Sequence, residues 1–328
     1  MIRPFALSDI PALHRYRKQG LFPDSIPTLT WGETLVPARA ALSPLATAMG
    51  VFTSVSADKE QDTQLIGQVV HSPGAAFAHF TFLAPDHAVT SPLLLPLLED
   101  LTKQAGGRGA QSVIAEVDER AEIFEALRQA GFSIYARQRI WRFTALSDGS
   151  GDGPNWQPLI SRDEFPVRTL YNELVPALVQ QVEPAPRQRL GGRVLFHQGD
   201  LWGYASHAIG PKGVWLQPYL HPEAEHPEEL LGQLLSGLGP RRKRPLFVCV
   251  RSYQGWLESA LETLGGEPGP RQAVMVKRTA QVQKSAEAYK LPAIEGGRAE
   301  ITTPMDLPAA EGGSEGLVVS YEKTPNHV

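Results

Sequence analysis

Leu65-Ile66-Gly67-Gln68-Val69-Val70-His71 returns as Leu201-Trp202-Gly203-Tyr204-Ala205-Ser206-His207, with Leu, Gly and His in step and an offset of 136 residues. Downstream, Ala126-Leu127 … Gly131 … Arg137-Gln138 returns as Ala260-Leu261 … Gly265 … Arg271-Gln272, offset by 134. Upstream, Pro4 … Asp9 matches Pro158 … Asp163, offset by 154. The order is kept while the offset drifts, as it does when two copies of one domain collect small insertions. The period is too long for a solenoid, whose repeats run to roughly 20–50 residues. Two domains also suit a chain of 328 residues.

The bulk composition narrows the class. Apolar residues make up 42% and charged residues 20%, which suits a globular chain with a core. A net charge of −4 offers no basic footprint for nucleic acid, so no nucleic-acid partner is expected. The basic run Arg241-Arg242-Lys243-Arg244 reads as a solvated loop after a helix. The lone cysteine, Cys249, sits in the apolar run Leu246–Val250, and no metal-ligand spacing occurs. No apolar run approaches the roughly 18 residues of a membrane span, and a cytoplasmic protein is expected.

Periodicity then places the elements. Asp9 precedes Ile10-Pro11, an N-cap followed by proline in the first turn. Leu65–Val70 and Phe77–Leu83 read as a hairpin around Gly74. Leu94, Leu97, Leu98 and Leu101 form one face of a helix opened by Ser91-Pro92. Val113–Val117 reads as a strand, Ala121–Ala130 as a helix closed by Gly131, and Arg139–Phe143 as the last strand. The second copy follows with a helix from Pro227, a strand Phe247–Val250, a helix Trp256–Leu264 and a final strand Ala273–Lys277. The expected organisation is a first domain over 1–146, a Gly-rich linker over 147–155, a second domain over 156–279 and an extended or disordered tail over 280–328.

These residues carry a resemblance. Ile2-Arg3-Pro4 … Asp9-Ile10-Pro11-Ala12-Leu13, Phe82-Leu83-Ala84-Pro85-Asp86 before a helix, and Phe124–Gly131-Phe132 resemble the GCN5-related N-acetyltransferase (GNAT) superfamily. The resemblance implies an α/β fold of two tandem GNAT-like domains, each a twisted mixed sheet flanked by helices. It implies acetyl-CoA as cofactor, a small-molecule or peptide amine as acceptor, and N-acyl transfer in the first copy. The thioester would lie where two strands splay apart near Leu83 and Val117.

The diagnostic motifs depart from the family pattern. The family's Gln/Arg-x-x-Gly-x-Gly/Ala loop holds the pyrophosphate on bare backbone N–H groups at a helix start. Here that stretch is Asp86–Pro92, without glycine or arginine. Leu83, His87, Ala88, Val89, Thr90 and Ser91 are its cofactor-binding candidates. The second copy has Glu223, Glu225, Glu228 and Glu229 there, which repel a diphosphate. The family's tyrosine acid, four residues before the closing glycine, is Leu127 in one copy and Leu261 in the other. Tyr135 is the nearby substitute acid, and Glu116 and His79 are the candidate bases. Strand alternation puts His79, Thr81 and Leu83 on one face, and Glu116 opposite Val113, Ala115 and Val117. The matched His71 and His207 read as hairpin caps. The alternative function is a non-catalytic binding or structural module that kept the fold and lost the CoA site.

Overall fold

The computed structural model describes residues 1–42, 45–58, 63–145, 155–185, 192–238 and 244–279. The expected linker (Asn155 excepted), the expected tail and Arg241–Lys243 lie outside them. The first repeat supplies β1 (Ile2–Pro4), α1 (Ile10–Tyr16), α2 (Ser25–Trp31), α3 (Leu35–Ala38), α4 (Leu45–Ala48), β2 (Val51–Asp58), β3 (Thr63–Val70), β4 (Phe77–Ala84), α5 (Leu94–Gly107), β5 (Ser112–Asp118), α6 (Glu122–Gln129) and β6 (Ser133–Phe143). The second supplies β7 (Gln157–Pro158), α7 (Glu164–Leu174), α8 (Ala177–Gln180), β8 (Gly192–His197), β9 (Asp200–Ile209), β10 (Val214–Leu220), α9 (Pro227–Leu238), β11 (Leu246–Arg251), α10 (Glu258–Thr263) and β12 (Glu267–Arg278).

The repeated motifs have physical causes. Asp9 and Asp163 each accept a backbone N–H three residues back, from Ala6 at 2.8 Å and from Ile160 at 3.0 Å, which closes the turn into the first helix. Asp9 is the N-cap of α1 with proline in the first turn, as expected, but its carboxylate makes no capping bond to the helix and points backwards; it is also held by Arg3 at 2.5 Å. Gly67 and Gly203 are sites of close approach. A Cβ on Gly67 would lie 2.8 Å from Leu101 of α5, and one on Gly203 would lie 2.7 Å from Trp156. His71 is buried and bonds the carbonyl of Ala75 at 2.9 Å, so it caps its hairpin. Its counterpart His207 has a buried Nδ1 without a partner.

The strands form one sheet in the order β1-β2-β3-β4-β5-β12-β6-β11-β10-β9-β8-β7. Neither repeat closes its own half. The final strand of the second repeat, β12, lies between β5 and β6, while β6 pairs with β11 of the second repeat. The copies have exchanged terminal strands, and they form one compact unit. Where β6 and β12 meet, Gln138 lies opposite its repeat-mate Gln272, and their side chains share a 2.8 Å hydrogen bond. A pseudo-twofold axis therefore passes through this pair. The contact is isologous, of the kind that joins homodimers, held within one chain.

Helices cover both faces. On one face α5 and α6 bury Leu97, Leu101 and Leu127 against β3–β5, and α9 and α10 bury Leu231, Leu234 and Leu261 against β10 and β11. At about 1.5–3 kcal/mol for each fully buried leucine, these faces supply the main driving force for the layer. On the other face lie α1 and α3, which cover Val55 and Phe82, and α7 and α8, which cover Tyr204 and Val274.

Candidate functional site: a filled gap between parting strands

β4 and β5 run parallel, with Phe77 to His79 opposite Ser112 to Ile114, and then separate. The gap beyond is where the resemblance puts a thioester. It is filled by the chain's own residues 19–25. Leu21 and Leu83 exchange both backbone hydrogen bonds, Leu21 N–H to Leu83 O at 2.8 Å and Leu83 N–H to Leu21 O at 3.0 Å. Glu116 N–H donates to Pro23 O at 2.8 Å, and Asp86 N–H donates to Gln19 O at 2.7 Å. The segment is a short strand in all but length. Leu21 packs into the α5 layer, while Phe22 turns to the other face with its ring 5.5 Å from that of Phe82.

The stretch after β4 is equally engaged. Asp86–Ala88 forms a 3-10 turn, and Ala88, Val89 and Ser91 donate their N–H groups to the carbonyls of Pro85, Asp86 and Ala88. Ser91 Oγ accepts the N–H of Leu93 at 3.3 Å, so the hydroxyl caps the turn from within. Ala88 and Val89 are buried in the core. His87 is exposed beside Asp86, and Thr90 is exposed. A diphosphate needs free N–H groups converging on it; these N–H groups are bonded inside the loop, and no guanidinium stands among them. Leu83 has no backbone group left for a ligand, and the residues present do not fit acyl-CoA.

The base candidates do converge. The β3–β4 register slips at Thr81, a bulge whose Oγ1 bonds the backbone and side chain of Gln68. The bulge overturns the expected alternation: Leu83 faces α5, whereas His79 faces the opposite side. There His79 Nδ1 lies 3.6 Å from Asp24 Oδ2. Glu116 is buried and accepts the N–H of Ser25 at 3.0 Å. Asp24, which no sequence pattern marks, is buried, and its Oδ1 lacks any partner. Burial pushes its carboxyl up to about 6; His79 opposes that rise and the Glu116 charge adds to it. Asp24, His79 and Thr81 line a cavity of about 300 Å³, walled by Trp31 and Phe77.

Tyr135 lies elsewhere. Its hydroxyl bonds Glu183 of the second repeat, which also pairs with the buried Arg251 at 2.7 Å. Burial, then the charge of Glu183, holds its phenol well above the ordinary range, so its proton is committed to that pair. In the second repeat the sheet register makes Cys249, opposite Ile140, the counterpart of Glu116, opposite Val274. A hydrogen-bond path joins the two positions. Cys249 donates to Gln138 at 3.3 Å, Gln138 to Gln272 at 2.8 Å, Ser25 Oγ to Gln272 at 3.5 Å and Ser25 N–H to Glu116. Among the described residues no group of three or more His, Cys, Asp or Glu could hold a metal ion, and no helix is long and apolar enough to cross a membrane.

Neither a family model nor a curated protein matches the chain. Solved structures do. The fold is similar to a GCN5-related N-acetyltransferase from Sphaerobacter thermophilus, at 12% identity and TM-score 0.52, covering 85% of this chain and 95% of that one. It is also similar to a tandem GNAT protein from the clavulanic acid biosynthesis pathway, in a structure without AcCoA, at 17% identity and TM-score 0.50, covering 85% and 98%. The chain has the GNAT fold in tandem.

Proposed function

We propose that this protein is a GNAT-fold binding module that takes a small amine in the Asp24–His79 cavity and no longer accepts acyl-CoA in the gap between β4 and β5. The reciprocal Leu21–Leu83 pair carries the reading. A ligand entering there must first displace residues 19–25. That means breaking four backbone hydrogen bonds, at about 0.5–1.5 kcal/mol each, and the Ser25–Glu116 bond, at about 1.5–3 kcal/mol. The total of roughly 4–9 kcal/mol weakens binding by about three to seven orders of magnitude. The amine assignment rests on chemistry: a buried carboxylate with an unbonded oxygen, beside aromatic walls, suits an ammonium group, although Arg39 also lines the cavity and its charge opposes one.

A second reading keeps N-acyl transfer to an amine. One observation favours it: Asp24, His79 and Glu116 meet at the mouth of the gap, where a base would be needed. It requires residues 19–25 to withdraw. Melting curves separate the two. Under the first reading, about 2 mM acetyl-CoA leaves the melting temperature unchanged, since only a ligand of the native state raises it. A saturable rise, with free thiol released when an amine is added, would establish the transferase instead.

A further inference from the structure

On the sheet face that carries α5, α6, α9 and α10, a strip follows the pseudo-twofold axis along β6 and β12. Two clefts open there, of about 350 and 310 Å³, and both are lined by Arg139 and Arg271. Arg137 stands in the first with Glu258, and Arg120 in the second with Asp118 and Glu119, so arginines outnumber carboxylates three to one and three to two. Register puts three of these on one face, with Arg271 directly opposite Arg139, and Arg137 opposite Ala273 two pairs along. Arg137 and Arg271 are repeat-mates, so the duplication itself brings them together.

The guanidiniums are unequally satisfied. Arg137 pairs with Glu119 at 2.6 Å and Arg139 with Glu258 at 2.9 Å, which fixes their positions. Arg139 keeps a buried Nε without a partner. Arg271 and Arg120 have no carboxylate partner among the described residues. Like charges directly opposite on antiparallel strands destabilise a sheet, and Arg139–Arg271 is such a pair in a chain whose net charge is −4. An oxyanion between the two forks reverses the sign of that term. Planar guanidiniums bind carboxylate and phosphate oxygens in pairs.

We propose that this paired cleft on the pseudo-twofold axis is a binding site for a small polyanion of the phosphate or carboxylate class, held between Arg271 and Arg139 and flanked by Arg137 and Arg120. The site is independent of the amine cavity, which lies on the other face of the sheet.

The test uses the full chain in low-salt buffer at neutral pH, with pyrophosphate and citrate titrated separately against sodium chloride of matched ionic strength. The expected result is a saturable rise in melting temperature with at least one of the two. Which one acts tells phosphate from carboxylate. Arg271→Gln should weaken that response at least tenfold, while Arg15→Gln on α1 leaves it intact. In the absence of anion, Arg271→Gln should melt at or above the parent protein, because it removes a like-charge contact. The proposal is overturned if neither anion exceeds the chloride control, if the titration midpoint is unchanged in Arg271→Gln, or if that variant melts lower without ligand.

Discussion

Replacing Asp24 by Asn should make this protein more stable at pH 7.5. The carboxyl is buried, with one oxygen unbonded, and burial raises it to about 6. In the unfolded chain an aspartate titrates near 3.9. The folded state therefore holds its proton more tightly than the unfolded state. Between the two values the native protein binds the extra proton, so stability falls as pH rises from about 4 through about 6 and stays low above that. Two pH units correspond to about 3 kcal/mol of lost stability at neutral pH. His79 and Arg39 offset part of the cost of ionisation, and Glu116 adds to it. Urea unfolding of the parent and of Asp24→Asn, at several pH values from about 4 to 7.5, measures the effect. The variant should gain about 3 kcal/mol at pH 7.5, and the gain should shrink towards zero near pH 4. A variant less stable than the parent at pH 7.5, or a gain that does not vary with pH, would refute the reasoning. It would mean that the Asp24–His79 contact outweighs desolvation. A carboxylate that costs this much stability fits a binding role better than a structural one.

The inter-repeat contacts lead to three further outcomes. Calorimetry should show a single transition for both repeats, and removing residues 267–278 should abolish folding of the first repeat as well as the second, since β12 separates β5 from β6; two resolved transitions would contradict this. Glu183→Gln should cost about 3–5 kcal/mol in urea unfolding, because it leaves Arg251 as a buried, uncompensated charge; a loss under about 1 kcal/mol would show that solvent reaches the guanidinium.

Much of the fold is legible in the chain because its signals are local. The Leu94–Leu101 stripe, the alternation through Val113–Val117 and the glycine after Gln129-Ala130 each depend on neighbours within one or two turns. The sequence periodicity places neither the α2–α4 segment nor β2. Val51–Ser56 does alternate with β-branched residues, a signal that could have revealed β2. The exchange of β6 and β12 has no local trace, since a strand pattern is the same whichever neighbour it meets. Only the repeat-matched Arg137-Gln138 and Arg271-Gln272 hint at it, by suiting a self-complementary contact. His79 and Glu116 could be picked as ionisable residues on strands. Asp24 could not, because Pro23-Asp24-Ser25 reads as an ordinary helix entry. The Thr81 bulge, which decides where His79 points, adds a residue that no periodicity shows.

The crossed ends of the sheet set a schedule for biosynthesis. A ribosome that has released the first 145 residues has delivered a half-sheet whose β5 edge is still bare. Its partner strand is not finished until residue 278 emerges. Pairing of β5 with β12 closes a loop of well over a hundred residues, a long-range contact of the slow kind. Until then two apolar edges stand open on the nascent chain, each a template for another copy's strand. Synthesis at high local concentration should therefore yield strand-swapped dimers, in which β6 and β12 find each other between chains.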